Sequence, residues 1–521
     1  MATPQASGDR SSAPTVSPPT GPARPVGLLV ACCLGMFMSF IDVTATIATL
    51  NAIQVDLEVA PADLSWVSST YTLVVAVGVL SGGILGERFG LRRVFLVGVA
   101  LLVLGSLVVF TSGTFAQVLL GRGISGLGGA LILPTSLAII VAAFADEKRR
   151  AVMIAIWATA SGVGLAVGPL AGGLLVILGG WHSAYLINAV LAFVTAGVTL
   201  YAVPETRMPQ RSLDLPGQVL VVVGLSCLIY GIAAGGRAGY GSPTVIAALV
   251  VAAVVLTVFV VVEARSREPM LDVRMMRSSG YTTTLVISAV SLFCFVGVMF
   301  MEVLFLQRVQ ELDSLDSGVV LLAAMSSFVV GTAVSGGLST KVDGARLLLV
   351  GTLMVGVAAV ILAQQRPDST GWLIPTGLAL LGLGSGFVVA PSTSAAINIV
   401  GKEQEPAATA AVTAFRQVGS VLGAAIAGSV LTLRFIGDLP GRLAEAGVPP
   451  EEAEGIVKVA REGGQSGDAV SPEVAEAIGI AFSNGVQAGM WLIAGVAFSG
   501  SLLIVLFLLR GAKRPVGASR G

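Results

Sequence analysis

Residues Gly164 to Gly173 read G-L-A-V-G-P-L-A-G-G, inside an apolar run from about 151 to 177. Gly164, Gly168 and Gly172 recur at i, i+4 and i+8, so a helix places them on one face. That face carries no side chains, and a second helix can approach it backbone to backbone. Pro169 lacks an N–H and its ring crowds the carbonyl of Leu165, which predicts a bend there. A bent, grooved apolar helix is costly in lipid unless another helix packs on it or moves against it.

Lipid is the solvent that the composition demands. The chain has 521 residues, of which 55% are hydrophobic and 12% charged, with a mean hydropathy of +0.90. Soluble domains carry about 25% charge, so the chain reads as a polytopic, all-α membrane protein. Formal net charge is zero, which argues against a nucleic-acid partner. The four cysteines lie in apolar runs and there is a single histidine, His182. Neither supports a metal site or a disulfide framework.

About 20 apolar residues cross a bilayer as a helix. On that measure, fourteen spans are predicted near 27–50, 66–86, 94–112, 115–143, 151–178, 184–203, 216–235, 243–263, 281–306, 317–339, 346–364, 372–399, 407–432 and 485–509. Residues 1–25 are a Pro/Ser/Thr-rich tail, read as disordered and cytoplasmic. With both termini inside, 21 of the 30 Lys and Arg residues fall in inner segments and 7 in outer ones. That bias fixes the orientation. The two left over, Arg122 and Arg416, lie within spans.

Span 1 also carries a charge, in Ile41-Asp42-Val43-Thr44. An acid in lipid costs a few kcal/mol and points to function. Asp42 and Arg122 each lie about two turns from the outer end of their spans, so pairing is geometrically allowed. A structural ion pair that holds the bundle would use the same two residues. Gly121, Gly123 and Gly126 match a dinucleotide fingerprint, but that pattern needs a soluble strand–turn–helix and here sits inside a span. No ATP-binding motif is present, so a gradient must drive any transport.

Several stretches resemble the major facilitator superfamily. Gly164 to Gly173 matches its antiporter motif G-x-x-x-G-P-x-x-G-G at every fixed position (Gly164, Gly168, Pro169, Gly172 and Gly173). Gly83 to Val94, G-I-L-G-E-R-F-G-L-R-R-V, resembles the inner-loop signature G-x-L-x-D-R-x-G-R-R, with Glu87 in place of Asp and Leu91 in place of one Arg. Leu119 to Ala130 resembles the motif with a buried Arg followed by Gly-x-Gly. Trp181 to Asn188, the segment Glu263 to Asp272, Leu306-Gln307 and the run R-Q-V-G-S-V-L-G at Arg416 are similar to the fourteen-span drug:proton antiporters.

The resemblance implies two six-helix lobes, 26–205 and 281–510, with a two-helix linker insertion at 206–280 and a short inner tail at 511–521. It implies a cell-membrane drug:proton antiporter, monomeric and without cofactor, exporting small amphipathic substrates. An exporter of an endogenous metabolite and a symporter on the same fold are the alternatives. The implied proton carrier is Asp42, tuned by Arg122. Gly83, Glu87, Arg88, Gly90 and Arg92 are implied to latch one conformation against the other half. Glu302 is either a second proton or cation site or a residue that reaches outer water. Arg416, Gln417 and Asn188 are candidates for the cavity. Asp42 and Glu302 are the acids placed to select a cationic substrate. The outer segment 433–484 reads as a solvated helical hairpin.

Overall fold

The computed structural model describes residues 24–58, 61–206, 214–266, 273–312, 314–339, 341–369, 371–400, 404–461 and 471–509. The tails and the segment 207–213 therefore lie outside the described residues. Among the described residues there are fifteen α-helices and no strand. In order these are α1 (Pro25–Asp56), α2 (Pro61–Phe89), α3 (Leu91–Phe110), α4 (Phe115–Ala143), α5 (Glu147–Ser183), α6 (Ile187–Ala202), α7 (Leu215–Ala238), α8 (Pro243–Arg265), α9 (Ser279–Arg308), α10 (Ser314–Leu338), α11 (Gly344–Leu362), α12 (Leu373–Ile399), α13 (Glu405–Glu445), α14 (Pro450–Arg461) and α15 (Pro472–Leu503).

All but α14 coincide with a predicted apolar run. By length and apolarity alone, twelve stretches qualify as spans, or thirteen with the bent pair in α2. Fourteen is compatible with this. The apolar part of α5 is divided between Val152–Leu165 and a stretch, Leu170–Ala202, that joins its end to α6.

Helices α1 to α6 pack as one group, and α9 to α13 with α15 as another. Close approach is set by glycine. In α4, a Cβ on Gly121 would lie 2.7 Å from the Gly105 carbonyl of α3, and one on Gly126 2.8 Å from the Tyr71 carbonyl of α2. The glycine-rich run of α4 is thus a packing surface on two sides. The groups meet where α5 touches α10 and α13 touches α2. The α7–α8 hairpin leans on both: Tyr230 of α7 stacks on Trp66 of α2, and Tyr240 meets Ser429 of α13 at 2.8 Å.

Helix α13 has 41 residues, about 60 Å at 1.5 Å per residue, twice the hydrocarbon thickness of ~30 Å. Beyond the apolar run it continues unbroken alongside the start of α15, held by a Phe435–Phe482 edge contact and an Asn484–Asp438 hydrogen bond of 2.5 Å. The described part of the outer segment is therefore largely an extension of two spans, with α14 beside it.

Candidate functional site: a sealed ion pair and an inter-lobe cavity

Asp42 on α1 is buried, and both carboxylate oxygens are engaged. Arg122 Nη1 donates to Oδ2 at 2.5 Å, and Asn188 Nδ2 on α6 donates to Oδ1 at 2.6 Å. The Asn188 amide also reaches Ser106 of α3 at 2.9 Å. Arg122 is held by the Val67 carbonyl at 3.1 Å and lies over the Tyr71 ring, 4.8 Å from its centroid. Five helices converge on this one carboxylate. Arg122 Nη2 and Asn188 Oδ1 are buried without a partner, so the network is tight around Asp42 and incomplete at its edge.

The glycine face of α5 packs on the segment of α1 that carries Asp42. A Cβ on Gly164 would sit 2.7 Å from the Phe37 carbonyl, and one on Gly172 2.7 Å from the Ala45 carbonyl. At Gly168 it would strike the Thr44 side chain. Gly173 points into open space. Near Gly162, α5 instead meets Phe328 and Val329 of α10, so one helix touches the Asp42 helix and the opposite lobe. A described break in α5 lies at Gly179 (φ −151°) and Gly180 (φ +75°); the bend expected at Pro169 falls outside what is described. Beyond that break, Trp181 donates to Asp56 at 2.9 Å.

At the turn from α2 into α3, Gly90 takes φ +107°, where only glycine is comfortable. A Cβ there would also meet the Glu205 carboxyl. Arg92 and Arg93 lie 3.8 and 3.4 Å from Glu205 at the exit of α6, and Arg92 donates to the Val203 carbonyl at 3.3 Å. Arg88 lies over its neighbour Phe89; Gly83 and Glu87 are buried in α2. The described partners of Arg92 and Arg93 thus belong to the same lobe. Among the described residues, the ion pair that crosses between lobes is a different one: Arg150 of α5 pairs with Glu405 of α13 at 2.9 Å.

Between the lobes lies a cavity of about 40 Å³, with Phe40, Trp157, Phe295, Phe328, Arg416 and Gln417 in its wall. That holds a few waters and falls well below the ~300 Å³ of a drug site. Asn188 and Asp42 are not in this wall, being committed to each other. Glu302 is not in it either. It is fully buried in α9, with the Gln365 side chain as its polar neighbour. It does not reach outer water.

Residues 32–424 match the family model described as Major Facilitator Superfamily. The chain belongs to the major facilitator superfamily. It is 32% identical over 434 residues to the multidrug resistance protein Stp of Mycobacterium tuberculosis, covering 83% of this chain and 80% of that protein. It is 32% identical to the tetracenomycin C resistance and export protein of Streptomyces glaucescens (84% and 82% covered). It is 30% identical to the methylenomycin A resistance protein of Bacillus subtilis (78% and 88% covered). The fold matches the crystal structure of the human organic anion transporter MFSD10 (TETRAN) at TM-score 0.62 and 14% identity, over 94% of this chain and all of that one.

Within this superfamily member, the Asp42–Arg122 pair, which similar depth in the sequence only allowed, is present. Tyr71, Ser106, Glu205 and the Arg150–Glu405 bridge were not read from the sequence. For the bridge a signal existed: charges cluster where α5 and α13 both begin, at E-K-R-R (147–150) and K-E-Q-E (402–405).

Proposed function

We propose that this superfamily member is a cell-membrane exporter of amphipathic drugs or antibiotics, working by alternating access in exchange for protons. It acts as a monomer with both termini cytoplasmic, needs no cofactor and performs no chemistry on its cargo. One observation above all supports the reading: Asp42, buried and paired with Arg122 of α4, lies on the helix that the glycines of α5 receive.

The cycle follows from electrostatics. With Asp42 ionised, the pair is compensated and α1, α4 and α6 are drawn together. A proton arriving from outside removes that charge and strands Arg122, which is strongly unfavourable in a buried site. Relief requires α1 to shift along α5, and the side-chain-free groove leaves it room. Because α5 also bears on α10, the shift reaches the other lobe. The Arg150–Glu405 bridge then parts, and the cavity opens inward. The proton leaves, substrate enters, and re-formation of both ion pairs closes the inner face. Each proton moved inward contributes about 2.3 kcal/mol per 100 mV. Glu302 is proposed as an accessory proton site, since no cation among the described residues pairs with it.

Growth in toxic amphiphiles tests the reading. Expression in a pump-deficient bacterium protects if the chain exports. Sensitisation indicates an importer, and no change on a broad panel contradicts drug export altogether.

A further inference from the structure

Three arginines are buried among the described residues: Arg122, Arg150 and Arg416. Arg122 has Asp42 and Arg150 has Glu405. Arg416 pairs with no carboxylate among the described residues. Its Nη2 donates to Ser392 Oγ at 2.9 Å, to Thr393 Oγ1 at 2.5 Å and to the Val389 carbonyl. Three neutral acceptors on α12 aim the guanidinium without neutralising it. Its Nε is buried with no partner, and the residue is 7% exposed.

This uncompensated cation stands in the wall of the inter-lobe cavity, and no carboxylate shares that wall. The other walls are flat and apolar: Phe40, Trp157, Phe295 and Phe328. A buried charge with no opposite charge is costly, and an anion from outside the chain would complete it. Charge-assisted contacts from Arg to an oxyanion are also the stronger kind of hydrogen bond.

We infer that the cavity, once widened in the transport cycle, takes anionic amphiphiles: an aromatic or otherwise apolar body bearing an acidic oxygen, such as a carboxylate, phenolate or enolate, that docks on Arg416. Gln417 and Thr413, in the same wall, supply neutral polar contacts. This rests on the transporter reading above, and it reverses the preference for cations expected from Asp42 and Glu302. Neither acid lines the cavity, and Asp42 is already held by Arg122 and Asn188.

The test uses two dyes built on the same xanthene ring, anionic fluorescein and cationic rhodamine 123. Binding to the purified full-length protein is followed by dye anisotropy in chloride-free buffer. The expected result is fluorescein bound at least ~10-fold more tightly, as one well-made charged contact provides. Arg416→Gln should erase that preference and Arg416→Lys should keep part of it. Because Arg416 also braces α12, Thr413→Asp is the second variant. It leaves every Arg416 contact in place and sets an internal anion one turn away, and it too should abolish the preference. Rhodamine 123 bound as well as fluorescein, no fluorescein binding at all, or a preference that survives Thr413→Asp would each overturn the inference. Proton movement separates the two claims. If antiport fails as a reading, fluorescein drives no proton movement in wild-type proteoliposomes although the binding preference stands.

Discussion

In the N-terminal lobe, Gly164 and Gly168 of α5 receive α1 at Phe37 and Thr44; in the C-terminal lobe, Gly419 and Gly423 of α13 receive α9 at Ala289 and Phe293. Both lobes let a helix approach a side-chain-free groove at i, i+4 spacing. They differ in what the received and receiving helices carry. In the first lobe, Asp42 is closed by Arg122 and Asn188. In the second, Glu302 and Arg416 are buried without an opposite charge. The same packing device thus supports a self-sufficient charge pair on one side and two uncompensated groups on the other. A pair that is complete within the protein can sense a proton, because protonation is what breaks it. An uncompensated group can sense what comes from outside.

The largest effect comes from breaking the complete pair on one side only. Arg122→Leu leaves Asp42 stranded and should cost about 3–5 kcal/mol of stability, read as a large fall in the thermal unfolding midpoint in detergent. Adding Asp42→Asn should recover most of that stability while proton coupling stays lost. Next is the groove. Gly168→Val drives a side chain into Thr44 and should cost about 1–3 kcal/mol by overpacking, with export abolished in protein that still reaches the membrane. Gly173→Val, facing open space in the same motif, should change stability by less than ~0.5 kcal/mol and spare export.

The inner bridge sharpens the comparison, because it joins the lobes rather than stabilising one. Arg150→Glu or Glu405→Arg should shift the closed population by about fivefold, near 1 kcal/mol for a partly exposed pair. Labelling of a cysteine placed on the inner face reads the shift, and the double swap should restore the wild-type rate. The smallest effect is expected at Glu302. Glu302→Gln strands no cation, so stability should change by less than ~1 kcal/mol, and substrate-driven proton movement should fall in amplitude without vanishing.

Most of the fold was legible because lipid imposes a simple rule: long apolar runs become helices. The pairing of Asp42 with Arg122 was legible for the same reason, since two charges at one depth in lipid have few other options. Asn188 was harder. Its place beside Asp42 depends on the rotation of α6, which composition does not encode, and sequence alone assigned it to the cavity. Glu302 sits one turn from the outer end of its run, which suggested access to water. In the structure it is instead fully buried beside Gln365, whose backbone carbonyl accepts from Gln487 of α15. Glu205 was missed because it follows a span and carries no motif, although its role at Gly90 and the Arg92–Arg93 pair is purely local geometry.

The central claim is that Asp42 carries the coupled proton. The direct measurement is proton movement in sealed inside-out vesicles on addition of an amphiphile to which expression confers resistance. Wild type should release protons from the acidified lumen, Glu302→Gln should do so with reduced amplitude, and Asp42→Asn should not respond at all. Undiminished release by Asp42→Asn would contradict the account and reduce the Asp42–Arg122 pair to a structural tie.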